Sequence, residues 1–250
     1  MNSRVITRID GRLGRITLHA GPLNVLGIDD ILALCDAIVS CEHCSVILLD
    51  ASGERAFCAG VEVSDHVPER ANRMLDVFEL LAKTFAAAPA PIICSVHGPA
   101  IGGGFELVLL ADVALCSPKA YFSLPEVQLA AIPPIASVLL PSLIGRQRAF
   151  DTVISMRKID AQTALAWGIV ADIVEPSELA RAAQDYCERV LSLSDIAVRA
   201  CKRAIDVGEI SRAMHLYRDV ILTSSDGVEG IAAFLEKRSP VWAHSTPVGG

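Results

Sequence analysis

Between Arg15 and Ser123 the chain alternates short apolar, β-branched runs with segments of helical period, and this alternation constrains the fold most. Arg15 to His19 sets Ile16 and Leu18 between polar neighbours, as a half-buried strand does. Ile28 to Val39 puts Ile28, Ile31, Leu32, Cys35, Ile38 and Val39 on one helical stripe, with Asp29 and Asp30 in the first turn. Val46 to Asp50 reads as a buried strand. Met74, Leu75, Phe78, Leu81 and Phe85 mark a second helix, which Pro89 and Pro91 end. Ile92 to His97 is a further strand, and a helix runs from the triple glycine Gly102-Gly103-Gly104 to about Leu110. Asp112 to Cys116 and Tyr121 to Ser123 are two more short strands. The order is that of an α/β fold.

Beyond about Pro141 the strand signal shrinks to Ile169–Val174. The rest reads as helix: Arg146 to Ile154, Ala161 to Trp167, Ser177 to Leu193, Ile196 to Val207 and Ile210 to Glu236, with Ser239 to Gly250 as a loose tail. An α/β core over residues 1–190 is thus followed by a helical region over 191–250. No linker-like composition separates them, so the second part is expected to pack on the core or on a neighbouring subunit. There is no fixed-period repeat.

Composition excludes several functions. The 29 acidic residues outnumber the 22 Lys and Arg, giving a net charge of -7, which argues against nucleic acid as a partner. The greasiest stretch, Val127 to Ile144, contains Gln128, Ser137 and Ser142 and three prolines, so no membrane span is expected. Met1 to Asp10 carries Arg4, Arg8 and Asp10 without an apolar core, unlike a signal peptide. The 8 cysteines lie mostly in apolar runs, like the Cys94 and Cys116 segments, as small buried hydrophobes do. The expectation is a reduced, soluble, cytoplasmic protein.

Two glycine loops offer backbone N–H groups. In Ser95 to Gly104 the glycines are followed by Phe105 and Glu106, which fails the pattern of a phosphate-binding loop, and no dinucleotide fingerprint follows the first strand. What remains is backbone approaching a ligand closely at a helix N-terminus, or tight packing of helix on strand. The second loop is Ala56-Phe57-Cys58-Ala59-Gly60-Val61-Glu62, where a plain turn also explains Gly60. Two separate loops presenting N–H groups are what an oxyanion site requires. Glu106 stands in an otherwise apolar helix start and Glu126 in apolar company after Pro125, so the pair is able to divide proton delivery from proton removal. An acid in a first helical turn is also ordinary. Cys41-Glu42-His43-Cys44 has half the spacing of a zinc site and no second pair, and no Gly-x-Ser-x-Gly elbow is present.

Ala56 to Val61, His97 to Leu107 and Ser123 to Pro133, in this order and spacing, resemble the crotonase superfamily of enoyl-CoA hydratases and isomerases. Leu23-Asn24-Val25-Leu26, Ala161 to Val174 and Phe234 to Arg238 extend the likeness along most of the chain. The resemblance implies a superhelix of β-β-α turns with a helical C-terminal trimerisation region, assembled as a homo-trimer or hexamer. It implies an acyl-CoA substrate whose thioester oxygen is held by the N–H groups of Val61 and Gly103. It carries the hydratase roles to Glu106, polarising water, and Glu126, exchanging the proton on carbon. Coenzyme A is part of the substrate, and no metal or redox cofactor is implied. Leu23, Asn24, Val25 and Ala59 would border the adenine end, and Phe234 and Lys237 would reach the CoA of a neighbouring subunit.

This sequence departs from common hydratases after the second glutamate. Their Ile-Pro-Gly-x-Gly-Gly is replaced by Ile132-Pro133-Pro134-Ile135-Ala136-Ser137, so Pro133, Pro134 and Ile135 are expected to make a more apolar acyl pocket. The segment is similar to that of cyclohexa-1,5-diene-1-carbonyl-CoA hydratases of anaerobic aromatic degradation. Glu62 replaces the family's frequent Asp with no evident consequence. The competing readings are an enoyl-CoA isomerase, in which a glutamate shuttles a proton without water, and a catalytically idle fold serving as an acyl-CoA-binding or assembly subunit.

Overall fold

The computed structural model describes residues 4–207 and 217–243. Strand β1 (Val5–Asp10) and β2 (Leu13–Leu18) form an antiparallel hairpin. Then β3 (Val46–Ala51), β4 (Ile92–Val96), β6 (Val113–Cys116) and β9 (Asp172–Ile173) add in parallel, giving the order β1-β2-β3-β4-β6-β9. A smaller sheet holds β5 (Ala100–Ile101), β7 (Tyr121–Ser123) and β8 (Ile159–Asp160). Two isolated bridges, Leu26 with Val61 and Cys58 with Ala100, pair extended segments in parallel.

These pairings generate a spiral. Each turn lays one strand in the large sheet, a second extended segment on the other wall, and then a helix. The helices of these turns are α1 (Ile28–Ser40), α2 (Pro68–Ala87) and α3 (Gly103–Leu110), and α4 (Pro134–Ile144), α5 (Arg146–Ser155) and α6 (Ala161–Ala166) follow. This is the α/β crotonase-like fold. The turns begin at Leu13, Val46, Ile92 and Val113 with unequal spacing, which explains why no sequence period was visible.

The parallel strands are apolar on both sides because both faces are covered. Ile47, Leu49, Ile92 and Cys94 face the main core with α1 and α2. Val46, Leu48, Ile93 and Leu115 face Leu179, Ala183 and Cys187 of α7 (Leu179–Leu191). Helix α8 (Asp195–Val207) is clamped to the same core: Arg199 donates to the Cys44 carbonyl at 2.6 Å, and Lys202 meets Asp112 at 2.7 Å.

Four sequence readings need correction. Val5–Asp10 is a strand that the sequence reading lacked, since only Val5 on it is buried. Pro134–Ile144 is a helix, α4, because Pro134 occupies its first turn, where a missing N–H costs nothing. The long helix expected over Ile210–Glu236 is broken. Residues 208–216 lie outside the described residues; a π-type turn spans Tyr217–Ile221, and the last helix, α9, is Ser225–Glu236, capped by Ser224. Of the supposed loose tail, 239–243 is tied down: Trp242 donates to the Ser192 carbonyl at 2.9 Å, and the Val241 N–H to Glu229 at 2.7 Å. Residues 244–250 lie outside the described residues. Among the described residues no helix is long and apolar enough to cross a membrane.

Candidate active site

The loop before α3 is shaped by two glycines. Gly102 has a φ of +56°, which L side chains rarely adopt, and a Cβ there would stand 2.9 Å from Glu126 Oε1. A Cβ on Gly104 would run into the Cys58 carbonyl, which already accepts from the Ile101 N–H at 2.9 Å. Loop 58–61 and the start of α3 therefore lie as close as backbone allows. The Val61 and Gly103 amides both border the resulting gap, and neither donates to another group among the described residues.

The gap opens into a cavity of about 600 Å³. Its walls include Ala59, Val61, Gly103, Glu106, Glu126 and Pro134. Glu106, only 2% exposed, accepts at Oε1 from the N–H groups of Ile135 and Ala136 at 2.7 and 2.8 Å. It thereby caps α4, whose own N-cap is Pro133 and has no side-chain bond. Burial, helped by the nearby Glu126 charge, pushes the Glu106 carboxyl up to about 7 against the pull of the two N–H donors. Glu126 is also raised by burial, and its Oε2 is buried without a hydrogen-bond partner among the described residues. Neighbouring carboxyls of this kind titrate as a pair.

The enoyl-CoA hydratase/isomerase family signature matches residues 8–245. The chain belongs to this family. It is 31% identical over 243 residues to cyclohexa-1,5-dienecarbonyl-CoA hydratase of Thauera aromatica, covering 93% of each protein. It is 35% identical over 212 residues to carnitinyl-CoA dehydratase of Proteus mirabilis, covering 79% of this chain and 80% of that one. Among solved structures, the enoyl-CoA hydratase of Bacillus anthracis superposes with a TM-score of 0.89 at 27% identity, covering 96% of this chain and 99% of that one. This enoyl-CoA hydratase/isomerase family member is thus placed among enzymes that act on CoA thioesters.

The remaining expected site residues divide. Leu23 and Ala59 adjoin, the Leu23 carbonyl accepting from the Ala59 N–H at 2.9 Å, and Val25 follows on the same segment. Asn24 is fully buried with its side chain spent on structure. Its Oδ1 accepts from the Ala20 N–H at 2.8 Å, and its Nδ2 donates to the Ser52 and Ala56 carbonyls at 2.8 and 3.2 Å. Asn24→Ala is therefore expected to lower stability by about 3 kcal/mol, read by urea unfolding, because it strands buried backbone groups. A raised KM for acyl-CoA at unchanged stability would instead make Asn24 a ligand contact. Phe234 and Lys237 sit at the end of α9 and do not line this chain's cavity.

Of the three residues expected in the acyl pocket, only Pro134 lines it; Pro133 and Ile135 are buried without facing it, because α4 turns them inward. The apolar wall comes instead from Ala71, Met74, Leu75 and Phe78 of α2, together with Val63 and Leu129. Met74, Leu75 and Phe78 carried a sequence signal, their helical stripe, which reads as plain core; Ala71 carried none. His66 and Gln128 also line the cavity and carried none. Cys41 and Cys44 are both buried, and no third His, Cys, Asp or Glu joins them among the described residues.

Proposed function

We propose that this family member is an acyl-CoA hydratase that adds water across, or removes it to form, the double bond of an enoyl- or dienoyl-CoA. The observation that carries the reading is one cavity faced by the buried Glu106 carboxyl, the half-buried Glu126 carboxyl and two amides with unspent N–H groups. Val61 and Gly103 would hold the thioester oxygen where negative charge develops in the enolate. Glu106, with Oε1 occupied by Ile135 and Ala136, has Oε2 left to hold the water and accept its proton. Glu126, with an unpartnered buried oxygen, favours the protonated form and gives its proton to the α-carbon. Hydroxyl on one carbon and hydrogen on its neighbour complete the addition.

The acyl group proposed is the cyclic diene of cyclohexa-1,5-diene-1-carbonyl-CoA. The apolar α2 wall and the likeness to the Thauera aromatica hydratase support it. A homo-trimer, or a hexamer of two, is proposed in addition. Phe234, 81% exposed and away from this chain's cavity, is suited to meet CoA in a neighbour. The test is hydration, followed by loss of the thioester-conjugated absorbance, with crotonyl-CoA and the cyclic dienoyl-CoA. Turnover of the diene supports the assignment. Turnover of crotonyl-CoA alone keeps the chemistry and removes the ring.

The Glu106 environment also predicts a pH dependence of stability. Between its usual 4.5 and about 7, the folded chain keeps a proton that the unfolded chain has released. The favourable contribution of neutral Glu106 is complete below the lower value and is lost as pH rises through the upper one. Its loss amounts to up to about 3 kcal/mol. Glu106→Gln preserves the acceptor for Ile135 and Ala136 and removes the titration. The wild-type protein is expected to lose more stability than Glu106→Gln between about pH 4 and 8, a range that spans 4.5 and about 7, measured by urea midpoints. Parallel losses would place Glu106 in water.

A further inference from the structure

We propose that Phe78 is the residue that selects acyl groups closed into a flat ring at the α-carbon, an inference that rests on the hydratase reading above. Ala71, Met74, Leu75 and Phe78 recur at one face of α2, and that face lines the same cavity as Glu106 and Glu126. Phe78 is only 5% exposed and packs beside Gly103. Its Cζ and Cε2 lie 3.3 and 3.5 Å from where a Cβ on Gly103 would be, and Val61 Cγ2 lies 2.8 Å from the same point. The ring therefore presents its Cζ–Cε2 edge to Gly103, one of the two residues whose amides would hold the thioester oxygen.

The neighbouring glycine looks the other way. A Cβ on Gly102 would stand 2.9 Å from Glu126 Oε1. With a thioester held at Gly103, the α-carbon would have the Glu126 carboxyl beside Gly102 and the Phe78 ring beside Gly103 as its neighbours. A linear enoyl group places only hydrogen beside that carbon. A ring closed through it places a flat unsaturated face there. The C–H edge of an aromatic ring carries the positive part of its quadrupole, and the face of an unsaturated ring is negative, so the two attract edge to face. Negative charge developing at the α-carbon strengthens the same contact. Such a pair contributes about two- to tenfold beyond the area it buries.

The experiment compares the wild-type protein with Phe78→Leu and Phe78→Met, both near in volume and both checked by thermal melting. Benzoyl-CoA is the flat-ring probe and butyryl-CoA the linear one; neither can be hydrated at an enoyl bond, and their Kd values are read by calorimetry. The wild type is expected to prefer benzoyl-CoA, and each substitution to reduce that preference by about two- to tenfold. The kcat/KM ratio of the cyclic dienoyl-CoA to crotonyl-CoA should fall by a similar factor. Equal weakening of both ligands, or no ring preference in the wild type, overturns the proposal and leaves Phe78 as packing. A Phe78-dependent preference without hydration of either substrate upholds it and removes the hydratase reading instead.

Discussion

Replacing Glu126 by Gln is expected to lower kcat for hydration by about 10²–10⁴-fold while leaving acyl-CoA binding within a few-fold. The substitution keeps size and one acceptor oxygen, so Gly102, whose bare face meets Glu126 Oε1, has no cause to move. What is lost is a transferable proton. An amide at this place neither gives one to carbon nor takes it back. Stability should hold or rise, because a carboxyl with a buried, unpartnered oxygen is replaced by a group with no charge to bury. A lowered kcat with unchanged KM, together with an equal or higher urea midpoint, is the expected signature. A matching rise in KM with kcat preserved would instead mark Glu126 as a ground-state contact.

The second large effect is structural in origin. Gly104→Ala brings a methyl group into the Cys58 carbonyl, and neither partner can retreat freely. The carbonyl is bonded to the Ile101 N–H, while the Phe105 and Glu106 N–H groups are bonded to the Gly102 carbonyl. A loss of about 3 kcal/mol or more is expected in urea unfolding. The same displacement parts the Val61 amide from the Gly103 amide, so hydration should fall by about 10²-fold even in the folded fraction. Full activity in a stable Gly104→Ala protein would show that this close approach does not set the amide geometry.

The sequence made the large parallel sheet legible for a physical reason: strands covered on both faces, such as Val46–Ala51 and Ile92–Val96, are continuous apolar runs. It made β1 illegible for the converse reason, since that edge hairpin strand carries Arg8 and Asp10 outward. Helix α4 was hidden by reading Pro133, Pro134 and Pro141 as breaks, although a proline at a helix start is compatible with it. Two glutamates and two glycine loops were readable as chemistry-bearing residues. Their convergence was not, because loop 58–61, the start of α3 and Glu126 lie on three successive, unequal turns of the spiral, and only the family resemblance tied them together. The α2 contribution was misread because an apolar stripe that lines a ligand cavity looks the same as one that fills a core. Pro133 and Ile135 were assigned to the pocket from linear adjacency, which α4 then overrode.

The most direct measurement is mass spectrometry of the product formed in ¹⁸O-labelled water. With the cyclic dienoyl-CoA or crotonyl-CoA as substrate, the wild-type protein is predicted to yield a hydroxyacyl-CoA heavier by one ¹⁸O atom. Glu106→Gln and Glu126→Gln are each predicted to yield almost none. A product of unchanged mass with its double bond moved would contradict the account and make the chain an isomerase.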